Sequence, residues 1–179
     1  MRKRNAILTA AIMVLFLLHA IFGAFQLFGV GQTALKATAW AALALVILHT
    51  LIGVKLTADS VKVWKKTGAG YFRQNKLFWA RRVSGFAVMA LLAFHMTAFG
   101  YYNSGAYRLR RFTDCKLAAQ LLLVAAITVH VVTNVKPMLI SFGVRSLKKW
   151  AGDILFVLSV LLLFMAAAFI VYYLRWNVW

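Results

Sequence analysis

The chain has 179 residues, of which 64% are hydrophobic and 13% are charged, and its mean hydropathy is +0.82. Soluble domains of this length are not this apolar, so the composition excludes that class. The formal net charge of +18 is common in nucleic-acid-binding proteins, but here the basic residues lie between long apolar stretches and indicate membrane orientation, so we expect no nucleic-acid partner.

Five apolar stretches follow in chain order, each close to the roughly 20 residues that cross a hydrocarbon core of about 30 Å. The first follows Arg2–Arg4 as in a signal peptide, but it is too long for one, and we interpret it as a retained helix. The sequence therefore predicts an all-α integral membrane bundle of five transmembrane helices, a single domain over residues 1–179. The stretches are Ile7–Val30, Ala34–Leu56, Val83–Tyr101, Lys116–Val135 and Ile154–Leu174.

The connections between the stretches carry their own signals. The Gly-rich segment Gly29–Thr33 predicts a short turn between antiparallel helices. The segment Asp59–Arg82 is basic and aromatic, which suits both anionic lipid headgroups and a soluble docking partner. Tyr102–Asp114 is expected to be a short outer loop. The fourth helix is expected to end at Lys136–Pro137, because proline interrupts the hydrogen-bond ladder of a helix.

The basic residues are divided unevenly between the two ends of the predicted helices. Fifteen of the 21 Lys and Arg residues fall in the N-terminal segment or in the connections after the second and fourth stretches. Because cytoplasmic loops carry the excess of positive charge, this distribution predicts a cytoplasmic N-terminus and a C-terminus outside. We expect a multi-pass protein of the cell (cytoplasmic) membrane, in contact with membrane lipid.

The four histidines are His19, His49, His95 and His130, and each lies alone in one of the first four stretches. A titratable ring inside hydrocarbon is costly, so an intramembrane histidine is a functional hypothesis by default. Each ring could simply hydrogen-bond a neighbouring helix, but one histidine on each of four helices favours haem iron held between paired imidazoles. Covalent c-type attachment is excluded, because the chain has one cysteine, Cys115, and no C-x-x-C-H motif. Six-coordinate haem b suits electron transfer.

Depth along the helices divides the histidines into two pairs. A helix rises about 1.5 Å per residue, which puts His49 about 12 Å and His130 about 9 Å from the cytoplasmic ends of their helices. The same measure puts His19 about 21 Å and His95 about 18 Å from those ends. We therefore expect one haem b between His49 and His130, near the cytoplasm. A second haem b is expected between His19 and His95, toward the outside.

Two further sets of polar residues are candidates for contact with cofactors. Haem propionates are anions that need cations or hydroxyls near an interface, and Arg82 and Ser84 are our principal candidates for cofactor binding, with Lys136 and Ser141 as further ones. A second set lies at the outer ends of the first three helices and suits either a quinone or interfacial anchoring. Its members are Gln26, Gln32, Lys36, Tyr101, Tyr102 and Asn103.

Three local patterns, together with the five predicted helices and one histidine on each of four of them, resemble a known family. It is the single-chain dihaem cytochrome b membrane-anchor subunit of succinate:quinone oxidoreductases, the succinate dehydrogenase and fumarate reductase group. The patterns are Arg82-Val83-Ser84-Gly85 with His95 ten residues beyond Gly85, His49 followed by Gly53 at the fourth position, and His130 followed by Ser141-Phe142-Gly143.

The resemblance implies a subunit of the respiratory chain. An iron–sulfur subunit and a flavoprotein subunit would bind on the cytoplasmic side, and electrons would pass between a dicarboxylate at the flavoprotein and a membrane quinone, menaquinone or ubiquinone. This chain would not hold the dicarboxylate site, because it has no glycine-rich dinucleotide fingerprint and no cysteine cluster. Some members carry an intramembrane glutamate two residues before the last ligand, where this chain has Thr128.

Two other interpretations remain open from the sequence. A dihaem cytochrome b can also anchor a hydrogenase, a formate dehydrogenase or a ferric reductase. A non-redox membrane protein could use its histidines to bind a metal or to relay protons. Ligands of one metal ion must converge within a few ångström, and the two predicted depths argue against a single shared site.

Overall fold

The computed structural model of the chain describes residues 2–30, 36–68, 75–103 and 106–177. The parts of the predicted turn and of the basic segment that fall at 31–35 and 69–74 lie outside these residues. Within the described ranges there are five α-helices and one two-stranded antiparallel hairpin. The helices are α1 (Arg2–Leu27), α2 (Lys36–Thr67), α3 (Lys76–Ala98), α4 (Asp114–Ser141) and α5 (Leu147–Asn177), and the strands are β1 (Gly100–Asn103) and β2 (Ala106–Leu109).

All five helices are long and apolar enough to cross a membrane, as the sequence predicts for a multi-pass protein. The most apolar windows of the helices have mean hydropathies from 1.5 in α3 to 3.1 in α5. At about 1.5 Å per residue, the 32 residues of α2 span about 48 Å, which exceeds a hydrocarbon core of about 30 Å. Asp59–Thr67, the first part of the basic segment, is therefore a helical extension of α2.

The helices pack as two pairs with a fifth helix on the outside. α1 packs along α2 and α3 along α4, whereas α2 and α3 barely touch each other, so a gap separates the two pairs. α5 packs against both α1 and α4 and closes the opposite side. Small residues of α1 and α5 belong to the same buried cluster, and they let neighbouring helix backbones approach closely: Ala20, Ala24 and Ala168.

α4 passes through Pro137 and ends at Ser141, so the predicted end at Lys136–Pro137 is wrong. Proline has no N–H to donate to the carbonyl oxygen four residues earlier, which belongs to Thr133. Arg81 of α3 donates its Nε–H to that oxygen over 2.8 Å and satisfies the acceptor that the proline leaves open. A neighbouring helix thus supplies a donor at the position where the proline has none.

The connection between α3 and α4 is more ordered than the predicted outer loop. β1 and β2 pair antiparallel with Gly100 opposite Leu109, and the N–H of Arg110 donates to the carbonyl of Phe99 over 2.8 Å. Just beyond the hairpin, Phe112 is fully buried and stacks on Phe99, with ring centres 5.3 Å apart. The hydroxyl of Tyr172 in α5 donates to the carbonyl of Arg110, which closes this end of the bundle.

Candidate cofactor site

All four histidines line one cavity in the gap between the two helix pairs. The cavity has a volume of about 810 Å³, in the upper part of the range of about 300–1,000 Å³ that is usual for ligand sites. It extends from Asn5 and Thr57 at one end of the bundle to Trp40 and Gly100 at the other. A long, largely apolar space of this kind suits flat hydrophobic cofactors placed one beyond the other.

The histidine rings face each other across this cavity in two pairs. The ring centres of His19 in α1 and His95 in α3 are 5.9 Å apart, and the ring planes cross at 77°. Those of His49 in α2 and His130 in α4 are 6.3 Å apart and cross at 89°. These are the partners that depth along the helices predicts, and each pair takes one ring from each side of the gap.

The spacing of the paired rings suits a metal held between them. An imidazole nitrogen binds a metal at about 2 Å and lies about 1 Å from the centre of its own ring, so two rings on opposite sides of one ion have centres about 6 Å apart. Within the described part of the chain, no three His, Cys, Asp or Glu side chains come together as a ligand set. A six-coordinate haem takes two protein ligands per metal, because the porphyrin supplies the other four.

Polar groups of neighbouring helices hold the ring of His49. Its Nδ1 lies 3.1 Å from Oδ1 of Asn5 and 3.4 Å from the hydroxyl of Thr9, both in α1. Metal-binding histidines commonly donate the hydrogen of the second ring nitrogen to an oxygen, which fixes the tautomer and leaves the other nitrogen for the metal. With Nδ1 engaged, Nε2 of His49 is the ring nitrogen that remains available to a metal.

His130 is held in the same way by residues of α3. Its Nδ1 lies 3.2 Å from the carbonyl oxygen of Arg81 and 3.3 Å from the hydroxyl of Ser84. A Cβ atom at Gly85 would lie 3.2 Å from Cε1 of His130, so a glycine here gives the ring room to lie directly against α3. The residues Arg81–Gly85 thus form a seat for the ring.

Among the described residues, His95 has one hydrogen-bonding partner and several aromatic neighbours. Its Nδ1 lies 2.8 Å from Oε1 of Gln120 in α4. The ring of Phe99 lies edge-on to it with centres 5.2 Å apart, and Phe99 stacks in turn on Phe112 and Phe169. This cluster separates the histidine from the hairpin end of the bundle.

The predicted propionate contacts fall into two groups. Arg82 and Ser141 line the cavity, and the Arg82 guanidinium lies over the Phe78 ring, 5.0 Å from its centre. Ser84 is only 6% exposed and contacts His130, a position that suits a ring-orienting role better than a propionate contact. Lys136 is exposed on α4 and is not part of the cavity lining.

Of the six polar residues proposed for quinone contact or anchoring, Gln26 lines the cavity near its Trp40 end. Gln32 lies outside the described residues. The remaining four belong to described helix or strand backbone, but their side chains lie outside the described part: Lys36, Tyr101, Tyr102 and Asn103.

The partners Asn5 and Gln120 were not identified from the sequence. Gln120 had a visible signal, because its amide stands among apolar residues at positions 117–127 of the fourth stretch. Asn5 had none, because it lies among basic residues where a polar side chain is expected. Both lie far along the chain from the histidines that they contact, so only the helix packing reveals them.

Comparison of the chain with models of protein families, with curated proteins and with solved structures finds no match.

Proposed function

We propose that this chain is a dihaem cytochrome b membrane subunit of a quinone-linked oxidoreductase. In this proposal His19 and His95 hold the iron of one haem b, and His49 and His130 hold the iron of the other. The observation that carries it is the pair of imidazole couples, with ring centres 5.9 Å and 6.3 Å apart, that face one cavity from opposite sides.

The side chains around the cavity suit a one-electron carrier. When bound, haem b would supply a one-electron redox centre, and the two histidines of each pair would hold its iron. Contacts at Nδ1 leave Nε2 of three of the four histidines to the metal. Arg82 and Ser141 stand at the end of the cavity where propionates would meet an interface.

The direction of the helices in the membrane belongs to the same proposal. The excess of basic residues favours a cytoplasmic position for the end of the bundle that carries Asn5, Arg81 and Arg82. The extension of α2 on that side exposes Lys62, Lys65 and Lys66. A cytoplasmic iron–sulfur and flavoprotein pair of the succinate or fumarate type would dock there, and a membrane quinone would exchange electrons with the pair of haems.

The first test is the visible spectrum of the purified chain. The proposal predicts haem b bands in the reduced-minus-oxidised difference spectrum and two haems per chain in a haem assay. Addition of a quinone analogue to the reduced protein should reoxidise both haems. A colourless preparation from haem-replete cells would overturn the proposal and favour hydrogen-bonding or proton-relay histidines.

A second test identifies the enzyme that the subunit serves. The chain should be purified from its native membrane in mild detergent, and the complex assayed with succinate, fumarate, hydrogen, formate and ferric chelates. Succinate- or fumarate-dependent change in the haem bands supports the family that the sequence resembles. A response to hydrogen, formate or ferric iron alone would keep the dihaem assignment and replace that family.

A further inference from the structure

Gln120 is a buried polar residue whose side chain contacts His95. It lies in α4 within an apolar run, and its side chain is 0% exposed. Its Oε1 lies 2.8 Å from Nδ1 of His95, while its Nε2 is buried without a hydrogen-bond partner among the described residues. A buried amide group costs about 1–3 kcal/mol when it is unsatisfied, so this position is not favoured by packing alone.

We propose that Gln120 is the positioning residue of His95, an inference that rests on the proposed function. Its carbonyl oxygen accepts the Nδ1–H of the ring, which would leave the lone pair of Nε2 available to the iron that His95 and His19 would hold. The bond also fixes the rotation of the ring about its side chain and makes the imidazole a stronger electron donor to iron.

The orientation of the Gln120 amide decides whether its removal weakens or strengthens haem binding. If the Gln120 oxygen accepts, the ring carries its hydrogen on Nδ1 and Nε2 can bind iron. If the amide nitrogen donated instead, Nε2 would carry the hydrogen and His95 would not bind iron until that hydrogen was lost. Removal of the amide therefore weakens haem binding in the first case and strengthens it in the second.

The test compares the 179-residue chain with three single-substitution variants of it. Gln120→Leu removes the acceptor at nearly constant size, Gln120→Glu keeps an oxygen acceptor in either protonation state, and Val124→Ala loosens the same buried face of α4 one turn away. Haem content and the midpoint potential of each haem are measured by redox titration. The haem between His49 and His130 serves as the internal control for folding.

We expect Gln120→Leu to weaken binding of the His19/His95 haem about 10-fold or more and to leave the other haem unchanged. Because a weaker donor stabilises ferric iron less than before, the potential of that haem should rise. If the affinity for ferric haem falls tenfold more than the affinity for ferrous haem, the midpoint potential rises by about 59 mV. Gln120→Glu should remain closer to the wild type than Gln120→Leu, and Val124→Ala should not shift the potential.

Three results would overturn the inference. They are an unchanged His19/His95 haem in Gln120→Leu, a shift in Val124→Ala as large as in Gln120→Leu, or tighter haem binding in Gln120→Leu. If the wild-type chain binds no haem, the proposed function fails instead, and the two failures are distinguished before any variant is measured.

Discussion

The two histidine pairs have nearly the same geometry but different surroundings. Both pairs place ring centres about 6 Å apart at a steep angle. Around His49 and His130 the neighbours are polar: an amide, two hydroxyls, a backbone carbonyl and the nearby Arg82 guanidinium. Around His95 the neighbours are aromatic, and among the described residues its polar partner is Gln120.

In the proposed dihaem subunit, this difference separates the features that would hold the haem iron from those that would tune it. Four helices each bring one ring to the gap, and these rings would hold the iron. The residues behind the rings differ between the two pairs and would set the electronic properties of each haem. We therefore expect two haems with the same coordination but different midpoint potentials and different sensitivity to substitution.

The largest expected effect is the loss of one haem while the other is retained. His49→Ala should remove the haem shared with His130 and leave the haem between His19 and His95 in place, because each iron needs both of its imidazoles for six-coordination. His95→Ala should have the reverse effect. The haem-to-chain ratio should fall from two to about one in each variant, as measured by haem assay.

Loss of both haems from either variant, with the helix content by circular dichroism retained, would show that the pairs are not independent sites. A ratio that stays at two in either variant would remove that histidine from the ligand set.

A second prediction tests the seat of His130. Arg81→Met removes the side-chain donor to the half-buried Thr133 carbonyl, and Pro137 has no N–H to replace it. A fully buried unpaired carbonyl costs about 1–3 kcal/mol, so we expect a cost below the upper end of that range. The thermal unfolding midpoint and the affinity for the His49/His130 haem should fall, while the other haem is retained.

Pro137→Ala provides the matched control, because it restores a backbone N–H to Thr133. Arg81→Met should cost clearly less stability in that background than in the wild type. Equal costs in the two backgrounds would show that the Arg81 hydrogen bond does not replace the missing donor.

A third prediction concerns the charge at one end of the cavity. Ferrous haem carries one positive charge less than ferric haem, so a nearby cation favours reduction. Arg82→Gln should lower the midpoint potential of the His49/His130 haem by an amount equivalent to about 1–2 kcal/mol, for an effective dielectric constant of about 20. The other haem should change much less.

Lys149→Gln changes the net charge equally at an exposed position and should shift neither potential. Redox titration of both variants checks the prediction. Equal shifts of the two haems in Arg82→Gln would contradict a local effect of this guanidinium.

The smallest expected effects come from substitution of the two residues that contact the His49 ring. Asn5→Leu removes the closer partner of His49, at 3.1 Å, and should weaken the His49/His130 haem about 10-fold. Thr9→Val should have a smaller effect, because the Thr9 hydroxyl also donates to the Asn5 carbonyl over 2.8 Å and lies 3.4 Å from the ring. Competition with apomyoglobin for haem measures both affinities, and a larger effect of Thr9→Val would contradict this order.

Much of this arrangement could be predicted from local sequence. Apolar length predicts the five helices, and the rise per residue predicts which histidines lie at similar depth, because both depend only on position along one helix. The end of α4 could not be predicted in this way, since the donor that satisfies the Thr133 carbonyl is Arg81 from another helix. The roles of Asn5 and Gln120 could not be predicted for the same reason, because each contacts a histidine on another helix.

The hairpin between α3 and α4 was also missed. Gly100–Leu109 lacks a strong alternation of apolar and polar residues, and its pairing is short. Its position depends on the aromatic cluster below it, in which Phe112 and Tyr172 come from segments far apart in the chain. Local sequence patterns do not predict contacts between such distant segments.

The most direct test of the central claim is low-temperature electron paramagnetic resonance of the oxidised, purified chain. Ring planes that cross at 77° and 89° should give two strongly anisotropic low-spin ferric signals of equal spin, one for each histidine pair. A high-spin ferric signal at either site, a single low-spin species, or the absence of haem iron would contradict the account of two irons held between paired imidazoles.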